Sequence, residues 1–351
     1  MEFQGFVNVI WFLTDACNLR CKHCYHATFS PRLNLSEKQK KLDEKIINDI
    51  IQLSKTWEVE TIGFLGGEPL LHPHLFSYIE KLSQKIDCRI VIGTNGLLID
   101  DNVLVKIKNQ PNLEIQISID SPIEKDHDFY RGKGMYQRTV KNLKKLITNG
   151  VITSIRMTIS DINFQSMKKF VEFGIELGVA GVSINKYISD GGKPSQYINS
   201  LTPEQHHEFI EKIVSLQKEY GESFVTTEDP CLKNYFKDEL LDEFEDEITE
   251  GIAVGGCSAG LCSIIIGTDG KIYPCTLLPL EIGNINHSSL VEIWEDEHPI
   301  LNNLRDRQNT LKGKCFECES KLICGGCRAA AHKMNGHYMA EDPFCNKKVV
   351  L

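Results

Sequence analysis

Three cysteines near the amino end of this 351-residue chain have a spacing suited to iron chemistry. Cys17, Cys21 and Cys24 follow the pattern C-x3-C-x2-C on one short stretch. Three thiolates can hold three irons of a cubane cluster and leave the fourth iron open to a substrate or cofactor, whereas a ferredoxin-type cluster uses four cysteines. A structural zinc site normally has four protein ligands. The spacing favours chemistry, and the alternatives are ordinary buried thiols or zinc with a remote fourth ligand.

A second group of cysteines lies after residue 255. Its members are Cys257, Cys262, Cys275, Cys315, Cys318, Cys324, Cys327 and Cys345. Eight cysteines are the number that two fully ligated four-iron clusters need. The C-x2-C pairs also permit zinc, and spacing within this group does not separate the two metals. Of the thirteen cysteines, Cys88 is interpreted as a core thiol, and Cys231 has no assigned role.

Short apolar runs alternate with helix-period segments over the first half of the chain. The runs cover residues 7–13, 61–65, 88–94, 113–119, 152–159 and 181–188, and the clearest helical segments cover 36–57, 137–149 and 166–177. Near-continuous apolar strands separated by helices predict a parallel sheet covered by helices. Such sheets place chemistry at the carboxyl ends of their strands. The first cysteine group directly follows the first predicted strand, where a site is expected.

Composition limits the classes of function. The apolar fraction of 41% and the charged fraction of 25% are ordinary for a globular chain. A net charge of -9 argues against nucleic acid as a partner. No apolar run is long enough to span a membrane, and no signal peptide is recognisable. Thirteen cysteines without an export signal indicate metal or redox chemistry and a cytoplasmic protein, not disulfides.

The first cysteine group resembles the cluster loop of the radical S-adenosylmethionine (radical SAM) superfamily, in which an aromatic residue, here Tyr25, follows the third cysteine. The later cysteines resemble the SPASM domain found in one branch of that superfamily. The resemblance implies a partial (β/α)6 TIM-type barrel with a C-terminal, cysteine-rich α+β SPASM domain. We therefore expect a barrel over residues 1–190, a helical bridging region over 191–255 and a SPASM domain with two auxiliary clusters over 256–351.

The same resemblance implies which residues bind the cofactor. Gly66, Gly67, Glu68 and Pro69 resemble the motif that holds the methionine amino group of SAM. Glycines let the backbone approach a ligand closely, and a carboxylate suits an ammonium. Asn95, Ser118 and Asp120 end the third and fourth strands, where relatives contact the ribose and carboxylate of SAM. Arg131 and Arg138 are candidates for the SAM carboxylate, because a guanidinium can bind it with two hydrogen bonds; each could equally be a surface residue.

The resemblance also implies a grouping of the later cysteines. Cys257, Cys262, Cys275 and Cys327 would hold the first auxiliary cluster, and Cys315, Cys318, Cys324 and Cys345 would hold the second. Cys324 and Cys327 are separated by two residues where the common pattern has three, so the grouping is less secure than the number of cysteines. With the first loop, the expected cofactors are SAM and three 4Fe-4S clusters.

The expected activity is that of a radical SAM enzyme, an oxidoreductase or maturase. A reduced cluster would cleave SAM to methionine and a 5'-deoxyadenosyl radical, which would take hydrogen from a substrate carbon. The auxiliary clusters would accept an electron from the substrate. The resemblance implies an external flavodoxin or ferredoxin as electron donor. A non-enzymatic iron–sulfur carrier or zinc module is the contrasting class, and the glycine motif with the unsaturated cysteine loop argues against it.

The sequence leaves the substrate open between three classes. Modification of a ribosomally made peptide, by a thioether or carbon–carbon cross-link, is placed first. The alternatives are dehydrogenation or epimerisation of a small molecule such as a sugar, and modification of a tetrapyrrole side chain in haem synthesis. The stretch around Cys315–Cys345 resembles haem-pathway members and some peptide-maturing ones. The absence of room for an N-terminal leader-binding domain lowers the peptide hypothesis without removing it.

Overall fold

In a computed structural model, the protein is described over residues 5–25, 30, 33, 35–110, 112–189 and 197–347. One sheet of ten strands runs through this part of the chain, in the order β10-β9-β8-β1-β2-β3-β4-β5-β6-β7. The strands are β1 Phe6–Thr14, β2 Glu58–Gly66, β3 Arg89–Thr94, β4 Leu113–Ser118, β5 Thr153–Ile159, β6 Gly181–Lys186, β7 Val225–Thr226, β8 Ser263–Ile266, β9 Lys271–Tyr273 and β10 Gly283–Asn284.

Helices cover the sheet and fill the region that follows it. They are α1 Glu37–Leu53, α2 Leu75–Ser83, α3 Asp101–Lys108, α4 Glu124–Arg131, α5 Met135–Thr148, α6 Met167–Leu177, α7 Pro203–Tyr220, α8 Lys237–Glu243, α9 Glu245–Thr249, α10 Leu290–Glu295, α11 Pro299–Arg305, α12 Arg307–Thr310 and α13 Arg328–Asn335. Short 3₁₀ helices cover Pro69–Leu71, Phe164–Ser166, Pro230–Phe236 and Gly313–Cys315. Among the helices of the described residues, none is long and apolar enough to cross a membrane.

The first six strands are parallel neighbours, which confirms the expected β/α alternation. Alternation of buried and half-buried positions is weak in β6, where five of six residues are buried, because helices cover that strand. The helix expected over residues 36–57 begins at Glu37, after Ser36 caps it by accepting a hydrogen bond from the Gln39 amide. The structure adds β7, a two-residue parallel strand beside β6 that is too short for a periodic signal.

The C-terminal region is joined to the barrel through the sheet itself. Strand β8 pairs in parallel with β1, from Asn8 opposite Ser263 to Trp11 opposite Ile266. Strands β9 and β10 continue the sheet in antiparallel fashion. Residues from both regions, including Trp11 and Trp294, share one hydrophobic core. The expected boundary at residues 190–191 lies outside the described residues.

Candidate active site

The first cysteine loop lies at the carboxyl end of β1 and is held by backbone contacts. The Ala16 amide donates to Thr14 Oγ1 at 3.0 Å, and the Lys22 amide donates to the Tyr130 carbonyl at 2.9 Å. The second contact fixes the loop to the last turn of α4. Carboxyl ends of parallel strands are where sheets of this kind carry their sites. The loop is therefore anchored to two elements at the expected edge of the sheet.

The three thiols of this loop lie close enough to affect one another's charge. Burial, together with the neighbouring thiols and Asp120, raises the pKa of Cys21 to about 11. Burial also raises the pKa of Cys17, although the Leu19 amide, 3.4 Å from its sulfur, opposes this effect. At Cys21 the effect of burial outweighs that of Arg131, and a bound metal would supply further positive charge. Three thiols on one loop, with a backbone donor to one of them, fit a cluster with one open iron.

The glycine motif after β2 packs directly on the residues that precede Cys17. The Gly67 amide donates to the Thr14 carbonyl at 2.6 Å, and the Glu68 amide donates to the Ala16 carbonyl at 2.8 Å. A Cβ atom on Gly67 would lie 2.1 Å from the Ala16 oxygen. Gly66 has φ +133°, a backbone conformation that side chains disfavour. These contacts require glycine at both positions and join the motif to the cysteine loop.

The Glu68 side chain connects the glycine motif to the next strand. Its buried carboxylate accepts hydrogen bonds from Thr94 Oγ1 at 2.6 Å, the Asn95 amide at 2.9 Å and the Leu70 amide at 3.2 Å. Burial raises the pKa of Glu68, and these hydrogen bonds oppose the rise. The carboxylate thus ties the end of β2 to the end of β3. Asn95 extends the connection by donating from Nδ2 to Asn18 Oδ1 at 2.7 Å, within the cysteine loop.

Asp120 and Arg131 form a buried ion pair against the cysteine loop. Arg131 Nε donates to Asp120 Oδ2 at 2.6 Å, and both side chains are at least nine-tenths buried. Burial would raise the pKa of Asp120, but Arg131 and His23 outweigh it and lower that pKa to about 2. Burial would lower the pKa of Arg131, but Asp120 and the thiols of Cys21 and Cys24 raise it. A fixed positive charge therefore lies beside the thiols that are expected to bind metal.

The remaining residues expected to bind the cofactor lie in different surroundings. Pro69 is buried at the start of a 3₁₀ helix. Ser118 is half-buried opposite Arg156 at the end of β4. Tyr25 is 53% exposed and lies within electrostatic reach of Arg156 and Cys275. Arg138 is exposed on α5, whereas Arg131 is buried at the cysteine loop, so the structure brings only Arg131 to the site.

Sequence reasoning missed several charged residues around this edge of the sheet. Arg156, on β5, makes two hydrogen bonds to Glu228, at 2.8 and 3.1 Å. His23, inside the cysteine loop, lies 3.6 Å from Asp120, and burial lowers the pKa of His23. The sequence signal available for these residues was their position: Arg156 lies on a strand, and His23 lies within the cysteine loop. Lys22 lies 3.5 Å from the ring centre of the half-buried Phe129, which places a cation and an aromatic ring beside the loop.

The cysteines expected to hold the first auxiliary cluster form one neighbourhood. Cys262, Cys275 and Cys327 each lie within electrostatic reach of Cys257. Burial is the main cause that raises the pKa of Cys262 and of Cys275 to about 11. The Leu277 amide approaches the Cys275 sulfur at 3.4 Å. All thirteen cysteines are free thiols, and the neighbourhood of these four is compatible with the expected grouping.

The cysteines expected to hold the second auxiliary cluster line one cavity. The thiols on its wall are those of Cys315, Cys318, Cys324, Cys345 and, unexpectedly, Cys231. The Asp342 amide lies 3.3 Å from the Cys315 sulfur, and the Gly326 amide lies 3.4 Å from the Cys324 sulfur. Amide donors to sulfur and a cavity lined by thiols fit an iron–sulfur cluster. Cys231 has no local sequence signal for this position, because the neighbouring thiols are distant along the chain.

Comparison with known sequences identifies the same two regions. The model of the Radical SAM superfamily matches residues 11–174, and that of SPASM, an iron–sulfur cluster-binding domain, matches residues 257–319. An AdoMet-dependent heme synthase from Methanosarcina barkeri is 29% identical, over 96% of this chain and 95% of that protein. The antilisterial bacteriocin subtilosin biosynthesis protein AlbA of Bacillus subtilis is 26% identical, over 93% of this chain and 68% of that protein.

Comparison with solved structures supports the fold. Streptococcus suis SuiB, in a crystal structure with bound S-adenosylmethionine, matches with a TM-score of 0.76 at 19% identity. The match covers 98% of this chain and 78% of SuiB. A shared fold at this level of identity does not transfer a substrate. It confirms the expected parallel α/β sheet followed by a cysteine-rich C-terminal region.

Proposed function

The chain belongs to the radical SAM superfamily and carries a SPASM domain, and from this premise we propose that it is a radical SAM enzyme that modifies a tetrapyrrole side chain. The observation that carries the proposal is the joined pair of motifs at the ends of β1 and β2. Hydrogen bonds from Gly67 and Glu68 to Thr14 and Ala16 fix the glycine motif against the cysteine loop. A ligand held by the motif would therefore face the iron that the loop leaves open.

Different site residues would hold the cluster and the cofactor. Cys17, Cys21 and Cys24 would bind three irons, and a reduced cluster supplies the electron that breaks a carbon–sulfur bond of SAM. The backbone at Gly66 and Gly67 would receive the methionine amino group, because the Glu68 carboxylate already accepts three protein donors. Arg131 keeps its positive charge beside Cys21 and Cys24 and would offset the negative charge of a reduced cluster.

Two kinds of observation support a tetrapyrrole as the substrate class. The AdoMet-dependent heme synthase relative matches over 96% of this chain and 95% of its own length. At the loop, Lys22 lies 3.5 Å from the ring centre of Phe129 and 5.1 Å from that of Tyr197. Cations beside aromatic rings suit a flat macrocycle with carboxylate side chains. This evidence favours the haem-type alternative over the peptide hypothesis that the sequence placed first.

Peptide modification is the second candidate. It is supported by AlbA, whose name assigns it to the biosynthesis of subtilosin, a bacteriocin, and which matches over 93% of this chain. The match covers 68% of AlbA. For either substrate we propose that two auxiliary clusters accept an electron from the substrate and that a flavodoxin or ferredoxin delivers electrons to the first cluster.

The test compares both substrate classes in one assay. Anaerobically reconstituted protein is given dithionite, SAM and either an iron porphyrin with deuterated propionate side chains or a deuterated cysteine-containing peptide. We expect 5'-deoxyadenosine that carries deuterium from the porphyrin, and a porphyrin of changed mass. Deuterium transfer only from the peptide would replace the tetrapyrrole proposal with the second candidate. Absence of SAM cleavage by protein loaded with iron would overturn radical chemistry altogether.

A further inference from the structure

Five thiols line the cavity expected to hold the second auxiliary cluster, although four are sufficient to ligate it. The additional thiol belongs to Cys231, in the 3₁₀ helix Pro230–Phe236 that connects β7 to the C-terminal region. Cys231 is 7% exposed. Its sulfur donates to Asp342 Oδ2 at 3.9 Å and lies close to the sulfurs of Cys324 and Cys345. One of the five thiols is therefore not needed as a ligand of this cluster.

Backbone donors distinguish Cys231 from three of its four neighbouring thiols. Amide groups approach the sulfurs of Cys315, Cys324 and Cys345, from Asp342, Gly326 and Lys347 respectively. Amide donors of this kind stabilise the negative charge of sulfur that binds iron. The contacts recorded for Cys231 in the described residues include no amide that donates to its sulfur. Cys231 instead faces three acceptors, two sulfurs and a carboxylate, which is the environment of an S–H donor.

A buried network fixes the position of Cys231 from the barrel side. Asp229 Oδ1 accepts the Cys231 amide at 3.0 Å, and Asp229 Oδ2 lies 2.8 Å from both Lys186 Nζ and His206 Nε2. His206, Asp229 and Cys231 also have the spacing of a metal site. The Lys186 ammonium already occupies the open side of Asp229, and a second cation there would be repelled. The network therefore orients Cys231 and does not bind a metal of its own.

We propose that Cys231 is a non-ligating thiol of the second auxiliary site, which donates its single S–H to a ligand sulfur and raises the reduction potential of the cluster. A hydrogen bond to a ligand sulfur stabilises the reduced cluster, which carries more negative charge, more than the oxidised one. A higher potential makes the cluster a better acceptor for an electron from the substrate. Cys231 is thus a positioning and tuning residue. The inference rests on the proposed function in one respect, namely that this cavity holds a cluster.

The test replaces Cys231 in two ways and uses Cys88 as a matched control. Cys88 is the other cysteine outside the expected ligand sets and is buried in the main core. Cys231→Ala removes the donor, Cys231→Ser retains a hydroxyl donor, and Cys88→Ala removes a thiol away from the cavity. Iron content and the midpoint potential of the second auxiliary cluster, followed by electron paramagnetic resonance, are measured for each anaerobically reconstituted protein.

We expect all three variants to keep the iron content of the wild type. The midpoint potential should fall in Cys231→Ala, stay near the wild-type value in Cys231→Ser and be unchanged in Cys88→Ala. Loss of about four irons per chain in Cys231→Ala would make Cys231 a ligand and overturn the tuning role. An unchanged potential in Cys231→Ala would also overturn it. A wild-type protein with roughly eight irons and no cluster in this cavity would contradict the cluster proposal itself.

Discussion

Asp120 is the acid on which the charge balance of the cysteine loop depends. Its Oδ2 accepts Arg131 Nε at 2.6 Å, and its Oδ1 accepts the Thr158 amide at 3.2 Å. The pKa of Asp120, about 2 in spite of burial, keeps the carboxylate charged at neutral pH. A buried guanidinium without a partner is strongly destabilising. Neutralising Asp120 should therefore destabilise the protein through Arg131.

We expect Asp120→Asn to lower the free energy of unfolding by about 3–5 kcal/mol, since breaking a buried ion pair has a cost of that size. The asparagine oxygen can still accept the Thr158 amide, so the change isolates the lost charge. Anaerobic urea unfolding followed by circular dichroism measures the effect. Asp101→Asn is the control, because Asp101 pairs with Lys145 at the surface and is 93% exposed. Equal stability losses in the two variants would contradict the role of the buried pair.

Individual site residues have the clearest sequence signal where a short motif contains them. The cysteines and the two glycines lie in such patterns, so their spacing alone was the basis for selecting them. Glu68 belongs to such a motif, yet its carboxylate bonds to Thr94 and Asn95, which a different strand supplies. Cys231 and Arg156 were not predicted as site residues, because the residues they contact are far away along the chain. Contacts of this kind arise from the arrangement of strands and leave no local pattern.

The turn after β2 is the element that couples cofactor binding to the cluster loop. Gly67 lies against the backbone of Ala16, so neither side of the contact can move away by changing a rotamer. Extra atoms forced into a packed contact typically cost about 1–3 kcal/mol. Any shift of the turn also moves the amides that bond to Thr14 and Ala16. Stability and SAM cleavage should therefore be lost together when Gly67 gains a side chain.

We expect Gly67→Ala to destabilise the protein by about 1–3 kcal/mol and to reduce the rate of 5'-deoxyadenosine formation. Gly5→Ala is the matched control, because among the described residues no atom beyond the chain neighbours lies within 4 Å of the Cβ position at Gly5. Thermal unfolding and SAM cleavage with dithionite are measured for both variants. Wild-type cleavage by Gly67→Ala would show that the turn does not position the cofactor.

The elements of the barrel were more predictable than their C-terminal extension. Strands buried on both faces read as continuous apolar runs, and this signal located the first six strands within a few residues of their observed bounds. The pairing of β8 with β1 joins Ser263 to Asn8, and no local pattern reports so distant a partner. The hairpin turn after β8 also contacts the cluster loop, where Thr268 Oγ1 donates to Asp15 Oδ2 at 2.8 Å. The two regions thus share both a sheet and a contact at the site.

Because the barrel and the C-terminal region share one sheet, we expect the three proposed clusters to have separable roles within one folded unit. The first loop would generate the radical, and the C-terminal cysteines would receive an electron after hydrogen is removed. The two sets are held by different elements, with Cys17, Cys21 and Cys24 following β1 and Cys315, Cys318, Cys324 and Cys345 lining a cavity beyond β10. Removing one set should therefore leave the other loaded.

We expect a variant with Cys17, Cys21 and Cys24 all replaced by alanine to bind roughly eight of twelve irons per chain and to form no 5'-deoxyadenosine. Cys315→Ala combined with Cys318→Ala should still cleave SAM but should yield far less modified substrate per cleavage, because the electron has lost its acceptor. Iron analysis and the ratio of product to 5'-deoxyadenosine measure both effects, with Cys88→Ala as the control that keeps all irons. SAM cleavage by the first variant, or an unchanged product ratio in the second, would contradict this division of roles.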